Sequence, residues 1–154
     1  THILHVRPDL PQAIGRVDYM AMGMAALSVF LPYYQGINTL PEAYKRGSKT
    51  SSADSAYWKF RKVQALGMVN YNRYAPVIRA AYDQFEAETT QRQREMEEAY
   101  LQICETRPIA AQELLQDFSD KLLLRALKVT DDLTEELFTR LTADIQAEYL
   151  FHGA

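Results

Sequence analysis

Residues 54–68 read DSAYWKFRKVQALGM. From this stretch onward, apolar residues recur about every 3.6 residues, as in a helix, instead of about every two residues, as in a strand. Apolar side chains from Tyr57 onward can share one face of a helix, and Asp54 or Ser55 is available to cap its N-terminus. The sequence therefore predicts that a helix begins at this point and ends near Tyr71.

Upstream of this helix the sequence favours extended segments joined by turns. Residues 3–6 are mostly apolar, residues 15–22 mix apolar and polar positions, and residues 26–34 contain Pro32, which suits a sheet edge or strand exit. The connections are too short for a helical crossover, so neighbouring strands are predicted to be antiparallel. Residues 37–54 are rich in turn formers and predict an exposed loop.

Downstream, apolar stripes at helical spacing continue to the end of the chain. A second helix is predicted from Pro76 to about Ile103, and its charged middle, residues 86–98, is typical of a solvated helix face. A third helix is predicted to begin near Pro108, and Thr130 is expected to cap a fourth.

The predicted fold class is α+β. Residues 1–36 supply short antiparallel strands, and residues 55–154 supply about four helices that pack on one another and on the sheet. Strands and helices are expected to form a single unit, because amphipathic helices need a partner for their apolar stripes.

Composition narrows the classes of function. Of the 154 residues, 47% are hydrophobic and 24% are charged, with a formal net charge of -3, which is suited to a folded domain and not to nucleic acid binding. No apolar run approaches the roughly 20 residues of a membrane span. The single cysteine cannot form an internal disulfide. We therefore expect a soluble, cytoplasmic protein without membrane or nucleic acid partners.

The three histidines do not predict a metal site. His2 and His5 are separated by three positions, which places them on opposite faces of a strand, and His152 lies at the far end of the chain. We expect no metal and no cofactor.

Two residues could act as nucleophiles. Cys104 lies beside the acidic Glu105 near a helix end, and this position favours a structural thiol. Thr1 could in principle use its own amine as base, as threonine hydrolases do, but the first basic residue after it is Arg7. No catalytic residue is predicted in this chain.

Aromatic and charged residues on the strands are candidates for binding. The chain has ten tyrosines, which could line a ligand pocket or pack in the core. Arg16 with Asp18 could contact a terminus of a dipeptide, or the two could form the solvated face of a strand.

Three segments resemble one known family. These are HILHVRPDLPQAIGRVDYM at residues 2–20, VFLPYYQG at residues 29–36 and SAYWKFRK at residues 55–62. They are similar to the C-terminal part of the PepD-type (dipeptidase A) family of N-terminal-nucleophile cysteine dipeptidases. The resemblance covers essentially the whole chain, and the first sixty residues carry most of its specificity.

The resemblance implies a dipeptidase that cleaves dipeptides through a cysteine at its processed N-terminus, without a metal. That cysteine has no counterpart in this chain, so the chain alone is expected to be inactive and to form part of a larger N-terminal-nucleophile hydrolase sandwich with the missing N-terminal part. Tyr19, Tyr33 and Tyr34 are expected to lie nearest the substrate, because they occupy the best-matched strands. The intact enzyme is also expected to be a homo-oligomer.

Two other functions stay open at this point. Broad apolar helix stripes also fit a non-catalytic helical module that docks another chain, and Thr1 leaves room for a threonine hydrolase.

Overall fold

The computed structural model describes the backbone of residues 1–152 and the side chains of residues 1–147. Its elements, in chain order, are β1 (His2–Val6), α1 (Gln12–Gly15), β2 (Arg16–Met20), a 3-10 turn (Ala25–Leu27), β3 (Leu31–Tyr34), α2 (Glu42–Lys45), α3 (Ala56–Val69), α4 (Tyr71–Ile103) and α5 (Pro108–His152). The α+β prediction is confirmed.

The three strands form one antiparallel sheet, as predicted, and their order in it is β1-β2-β3. Asp18 of β2 is paired with Leu4 of β1 on one side and with Tyr33 of β3 on the other. Pro32 lies on β3, which is an edge strand of this sheet, in agreement with the sequence. Its missing N–H is tolerated there because an edge strand need not donate on both sides.

The sheet has two faces with different surroundings. Side chains alternate along each strand, so Val17, Tyr19 and Tyr34 share one face, called here the first face, while Arg16, Asp18 and Tyr33 share the second face. By the same register, Leu4 and Leu31 also belong to the second face.

Burial changes sharply from one edge of the sheet to the other. Three of the four residues of β3 are buried, β2 is buried only at Val17, and every residue of β1 is exposed. Leu31 on β3 is 1% exposed, whereas Leu4 on β1 is 64% exposed. The sheet is thus embedded at β3 and free at β1.

Sheet and helices share two apolar clusters, which explains why they form one unit. The first joins β3 to α3, α4 and α5 through residues such as Leu31, Phe60, Ile78 and Leu123. The second lies beneath the first face and joins β2 and β3 to α1, α4 and α5. Its buried residues are Ile14, Val17, Tyr34, Met96, Tyr100, Ala111 and Leu115.

The helical region contains three long helices, not the predicted four. Thr130 does not begin a new helix: it lies fully buried inside α5, and its hydroxyl donates to the carbonyl of Ala126 at 2.7 Å. A threonine that bonds to the preceding turn can remain in a helix interior, and this is why its capping preference misled the prediction. Within the described residues, no helix is both long and apolar enough to cross a membrane.

The second long helix begins earlier than predicted. Asn70 separates α3 from α4, and its side chain accepts a hydrogen bond from the backbone N–H of Arg73 at 3.3 Å, which caps α4. Pro76 therefore lies at the sixth position of α4 rather than in its first turn. Helix α3 begins after Ser55 as expected, although the Ser55 hydroxyl donates to the carbonyl of Arg46 and not to the helix.

The predicted exposed loop, residues 37–54, is partly ordered by the helical layer. It contains the single-turn helix α2, and the hydroxyl of Tyr44 donates to the carbonyl of Leu123 on α5 at 2.9 Å. Aromatic burial thus anchors a segment whose composition alone indicated only turns.

Helix α4 is tied to its neighbours along its length. Near its start, Arg73 and Tyr74 bond to Asp144 of α5 at 2.5 Å and 2.7 Å. In its middle, Glu88 forms an ion pair with Arg125 of α5. Near its end, Glu97 contacts the sheet.

Candidate functional site

Glu97 of α4 joins the first face of the sheet to the helical layer. Arg7, in the turn after β1, donates to both carboxylate oxygens of Glu97 at 2.7 Å, and the hydroxyl of Tyr34 donates to Oε1 at 2.6 Å. The Arg7 guanidinium also donates to the carbonyl of Ile14 at 2.6 Å. The two charged side chains are only 23% and 14% exposed, so this is a well-paired, largely enclosed ion pair.

Within this network the pKa values of both donors, Arg7 and Tyr34, are raised, so both stay protonated. The hydrogen bond to Glu97 raises the pKa of Arg7 despite the opposing effect of burial. Burial and the neighbouring Glu97 charge both raise the pKa of Tyr34 well above its usual range. Neither donor titrates near neutral pH, so the network acts as a fixed tie between sheet and helix.

Two further ties lie earlier on α4, one about one turn and the other about three turns before Glu97. The side-chain amide of Gln93 donates to the hydroxyl of Tyr19 at 2.9 Å, and Glu86 accepts from the backbone N–H of Phe30 at 2.9 Å. These residues border a small cavity of about 120 Å³. It is too small for a whole dipeptide, since ligand pockets usually span about 300 Å³ or more.

The second face carries a polar pair that is not satisfied. Asp18 and Tyr33 are direct cross-strand neighbours. Among the described residues, neither Oδ1 of Asp18 nor the hydroxyl of Tyr33 has a hydrogen-bond partner, although both atoms are buried. Burial, with a contribution from the Asp18 charge, raises the pKa of Tyr33 well above its usual range, so its hydroxyl stays protonated.

Arg16 lies two residues before Asp18 on the same face. It is exposed, and the hydrogen bond described for its side chain is a 3.3 Å contact with the amide oxygen of Gln35. Val6 and Leu4 stand in register with Arg16 and Asp18 on β1, and both are more than half exposed. This strip of the second face is therefore accessible at β1 and β2.

The three tyrosines predicted to lie nearest the substrate do not share one surface. Tyr19 and Tyr34 lie on the first face, where Gln93 and Glu97 bind their hydroxyls. Tyr33 lies on the second face and packs edge-on against Tyr44, with 6.4 Å between ring centroids. Their proximity to a substrate stays a prediction, and the geometry separates Tyr33 from the other two.

Among the described residues, the contacts of both candidate nucleophiles are with backbone groups. The thiol of Cys104 contacts the carbonyl of Leu101 at 3.7 Å. Thr1 extends the ladder between β1 and β2, with its amine donating to the carbonyl of Ala21 at 3.3 Å and its own carbonyl accepting from the Ala21 N–H at 2.9 Å.

No metal centre is formed by the part of the chain with described side chains: no group of three or more His, Cys, Asp or Glu residues lies within reach of one ion. His2 and His5 are both exposed on β1. His152, the third histidine considered from the sequence, has a side chain outside the described residues.

Sequence reasoning missed the residues that tie the sheet to α4. The charged run at residues 86–98 was interpreted as a solvated face, but Thr89 and Gln93 are buried and Glu97 is mostly enclosed. A signal was present, because Thr89, Gln93 and Glu97 recur every four residues and thus share one stripe of the helix.

Comparison with known proteins identifies the class as peptidases. The model of peptidase family C69 matches residues 1–84, which include the whole sheet, helix α3 and the start of α4. This is more than half of the 154-residue chain. The chain belongs to peptidase family C69.

Similar proteins carry dipeptidase names. A probable dipeptidase of Salmonella dublin is 70% identical over 37 residues, which are 24% of this chain and 8% of the relative. A probable dipeptidase A of Streptococcus pyogenes is 32% identical over 74 residues, or 48% of this chain and 16% of the relative. Dipeptidase A of Lactobacillus helveticus is 28% identical over 131 residues, or 85% of this chain and 25% of the relative. The chain thus spans at most about a quarter of the length of these relatives.

Proposed function

We propose that this chain is the C-terminal part of a dipeptidase whose attacking cysteine belongs to the N-terminal part of the complete polypeptide. Family membership and the names of the relatives support dipeptide hydrolysis. The small share of each relative that the chain matches supports a larger complete protein.

The observation that carries the proposal is the free edge of the sheet at β1. Every residue of this strand is exposed, including the apolar Ile3, Leu4 and Val6. An exposed apolar edge strand is a liability for an isolated domain, because its backbone groups and side chains invite pairing with another chain. Pairing with further strands of the same enzyme, within an N-terminal-nucleophile sandwich, removes this liability.

The proposed chemistry needs no residue of this chain as nucleophile. The N-terminal cysteine attacks the carbonyl carbon of the peptide bond, and its own α-amine accepts the thiol proton. The C–N bond then breaks, the proton passes to the departing amine, and water hydrolyses the resulting thioester. An α-amine with a pKa of about 8 is suited to this exchange near neutral pH.

The experiment is an assay of the complete polypeptide against a panel of dipeptides, with and without a thiol-blocking reagent. We expect hydrolysis that the reagent abolishes, and we expect the Cys104→Ser variant to retain both the activity and the sensitivity to blocking. Loss of activity in Cys104→Ser at unchanged stability would contradict the proposal. Activity that survives blocking would instead favour Thr1.

Location and assembly are also part of the proposal. Cys104 is a free thiol within the described part of the chain, which supports a reducing compartment such as the cytoplasm. Exposed apolar residues along α5, including Leu124 and Phe138, support a homo-oligomer formed through the helical layer. Light scattering coupled to size-exclusion chromatography of the complete enzyme tests the assembly, and a monomeric mass contradicts it.

A further inference from the structure

Asp18 differs from three other partly buried carboxylates of the chain, each of which is paired with a basic side chain. Glu97 is paired with Arg7, Asp131 with Lys59 and Asp144 with Arg73. Within the described residues, Asp18 forms no ion pair, and its Oδ1 is buried without a hydrogen bond. A partly buried carboxylate without a partner is costly, so folded proteins usually keep one only where a further group binds it.

Arg16 provides the opposite charge at a fixed distance from Asp18. The two residues are separated by two positions on β2, so their side chains leave the same face of the sheet about 6–7 Å apart. The guanidinium is exposed and contacts the neutral amide of Gln35, which leaves its charge available to a carboxylate.

The spacing of these charges matches one class of ligand. An extended dipeptide carries an ammonium group at one end and a carboxylate at the other. The length of its two residues, at the rise of an extended chain, places these groups about 6–7 Å apart as well. We propose that Asp18 binds the α-ammonium group of a dipeptide and that Arg16 binds its α-carboxylate, so that β2 selects substrates of two residues. This inference rests on the proposed dipeptidase function.

Neighbouring residues fit this assignment. Tyr33 is the cross-strand neighbour of Asp18, and its buried hydroxyl has no partner among the described side chains, so it offers a second hydrogen-bonding group for the ammonium. Leu4 and Val6 stand in register with Asp18 and Arg16 and are exposed, so they offer apolar surface to the substrate side chains. A planar guanidinium binds a carboxylate through two parallel hydrogen bonds, which suits Arg16 to the C-terminal end.

The test compares three forms of one dipeptide that the complete wild-type enzyme cleaves: the free dipeptide, its N-acetyl derivative and its C-terminal amide. We expect Asp18→Asn to lower kcat/KM for the free dipeptide by about tenfold to a hundredfold, with a much smaller loss for the N-acetyl form. Arg16→Gln is expected to give a similar loss for the free dipeptide and a much smaller loss for the amide.

Matched controls are Asp9→Asn and Arg94→Gln, which change the same residue types at exposed positions away from β2. Both are expected to leave kcat/KM for all three substrates unchanged. Thermal unfolding of each variant checks that the enzyme remains folded.

The possible outcomes separate the two proposals. If the wild-type enzyme cleaves dipeptides but Asp18→Asn lowers kcat/KM equally for all three forms, or does not lower it, the charge-matching inference is wrong and the dipeptidase proposal stands. If Asp18→Asn does not fold, the neutral variant Asp18→Ser replaces it, and an unchanged preference for a free ammonium in that variant also overturns the inference. If the wild-type enzyme cleaves no dipeptide, both proposals fail.

Discussion

The two edges of the sheet have the same backbone geometry but different surroundings. At β3, Leu31 is enclosed by the helices and Tyr34 is bound by Glu97. At β1, Leu4 and Val6 face solvent. Because strand pairing is common to both edges, the difference shows that packing against α4 and α5, and not the sheet itself, stabilises this region.

The largest expected effect comes from matched leucines on the second face. Leu31→Ala removes a side chain that is 1% exposed and is expected to lower the free energy of unfolding by about 2–5 kcal/mol. Leu4→Ala, at 64% exposure, is expected to change it by no more than about 0.5 kcal/mol. Urea denaturation of both variants measures the difference, and equal losses would show that β1 is not a free edge.

A smaller effect is expected at the tie between the embedded region and α4. Glu97→Gln keeps the shape of the side chain but leaves Arg7 without its counter-ion, and is expected to lower the free energy of unfolding by about 2–3 kcal/mol. Glu136→Gln is the control, since its i,i+4 pair with Arg140 is exposed and worth about 0.5 kcal/mol at most. Urea denaturation measures both losses. Similar losses in the two variants would show that the Glu97 network stabilises the protein no more than an exposed ion pair does.

Alkaline pH distinguishes buried phenols from exposed ones. Burial raises the pKa of Tyr82 on α4 to about 12. The Tyr82 hydroxyl therefore holds its proton more tightly in the folded state than in the unfolded state. Its contribution to the free energy of unfolding is complete below about pH 10 and is lost as the pH rises towards 12. Over that interval we expect the free energy of unfolding of Tyr82→Phe to fall by about 1–2 kcal/mol less than that of the wild type.

The control for the alkaline experiment is Tyr57→Phe, because Tyr57 is 45% exposed. Its unfolding free energy is expected to fall with pH as steeply as in the wild type. If both variants follow the wild-type curve, the Tyr82 hydroxyl does not resist ionisation in the folded protein.

The smallest stability effect is expected at the adjacent tyrosines of β3. Tyr34→Phe removes a hydrogen bond to Glu97 and is expected to lower the free energy of unfolding by about 1 kcal/mol. Tyr33→Phe removes a buried hydroxyl that has no hydrogen-bond partner among the described residues, so stability is expected to stay the same or rise slightly, while kcat/KM of the complete enzyme falls severalfold. A stability loss in Tyr33→Phe with unchanged kcat/KM would assign its hydroxyl a structural role instead.

Much of the fold followed from local patterns. Alternation and short connections predicted an antiparallel sheet, and helical spacing predicted α3 and most of α4 and α5. The errors arose where one residue type is compatible with two different positions in a helix. Thr130 can cap a helix or bond within one, and Pro76 can begin a helix or be tolerated a turn and a half later.

The candidate site was less predictable because its contacts are distant in sequence. Arg7 and Glu97 are separated by 90 positions, and no periodicity within either segment indicates that they meet. The pairing of Asp18 with Tyr33 depends on strand register, which a short loop-rich sequence does not specify. Arg16 and Asp18 could be proposed from the sequence because their shared face depends only on strand alternation.

The ties along α4 also have a consequence for amide hydrogen exchange. An isolated helix opens from its ends, so its terminal amides exchange fastest. Helix α4 is held near its start by Asp144, in its middle by Arg125 and near its end by Arg7 and Tyr34. The hydrogen-bonded amides near both of its ends should therefore exchange almost as slowly as those at its centre, and α4 should open as one cooperative unit.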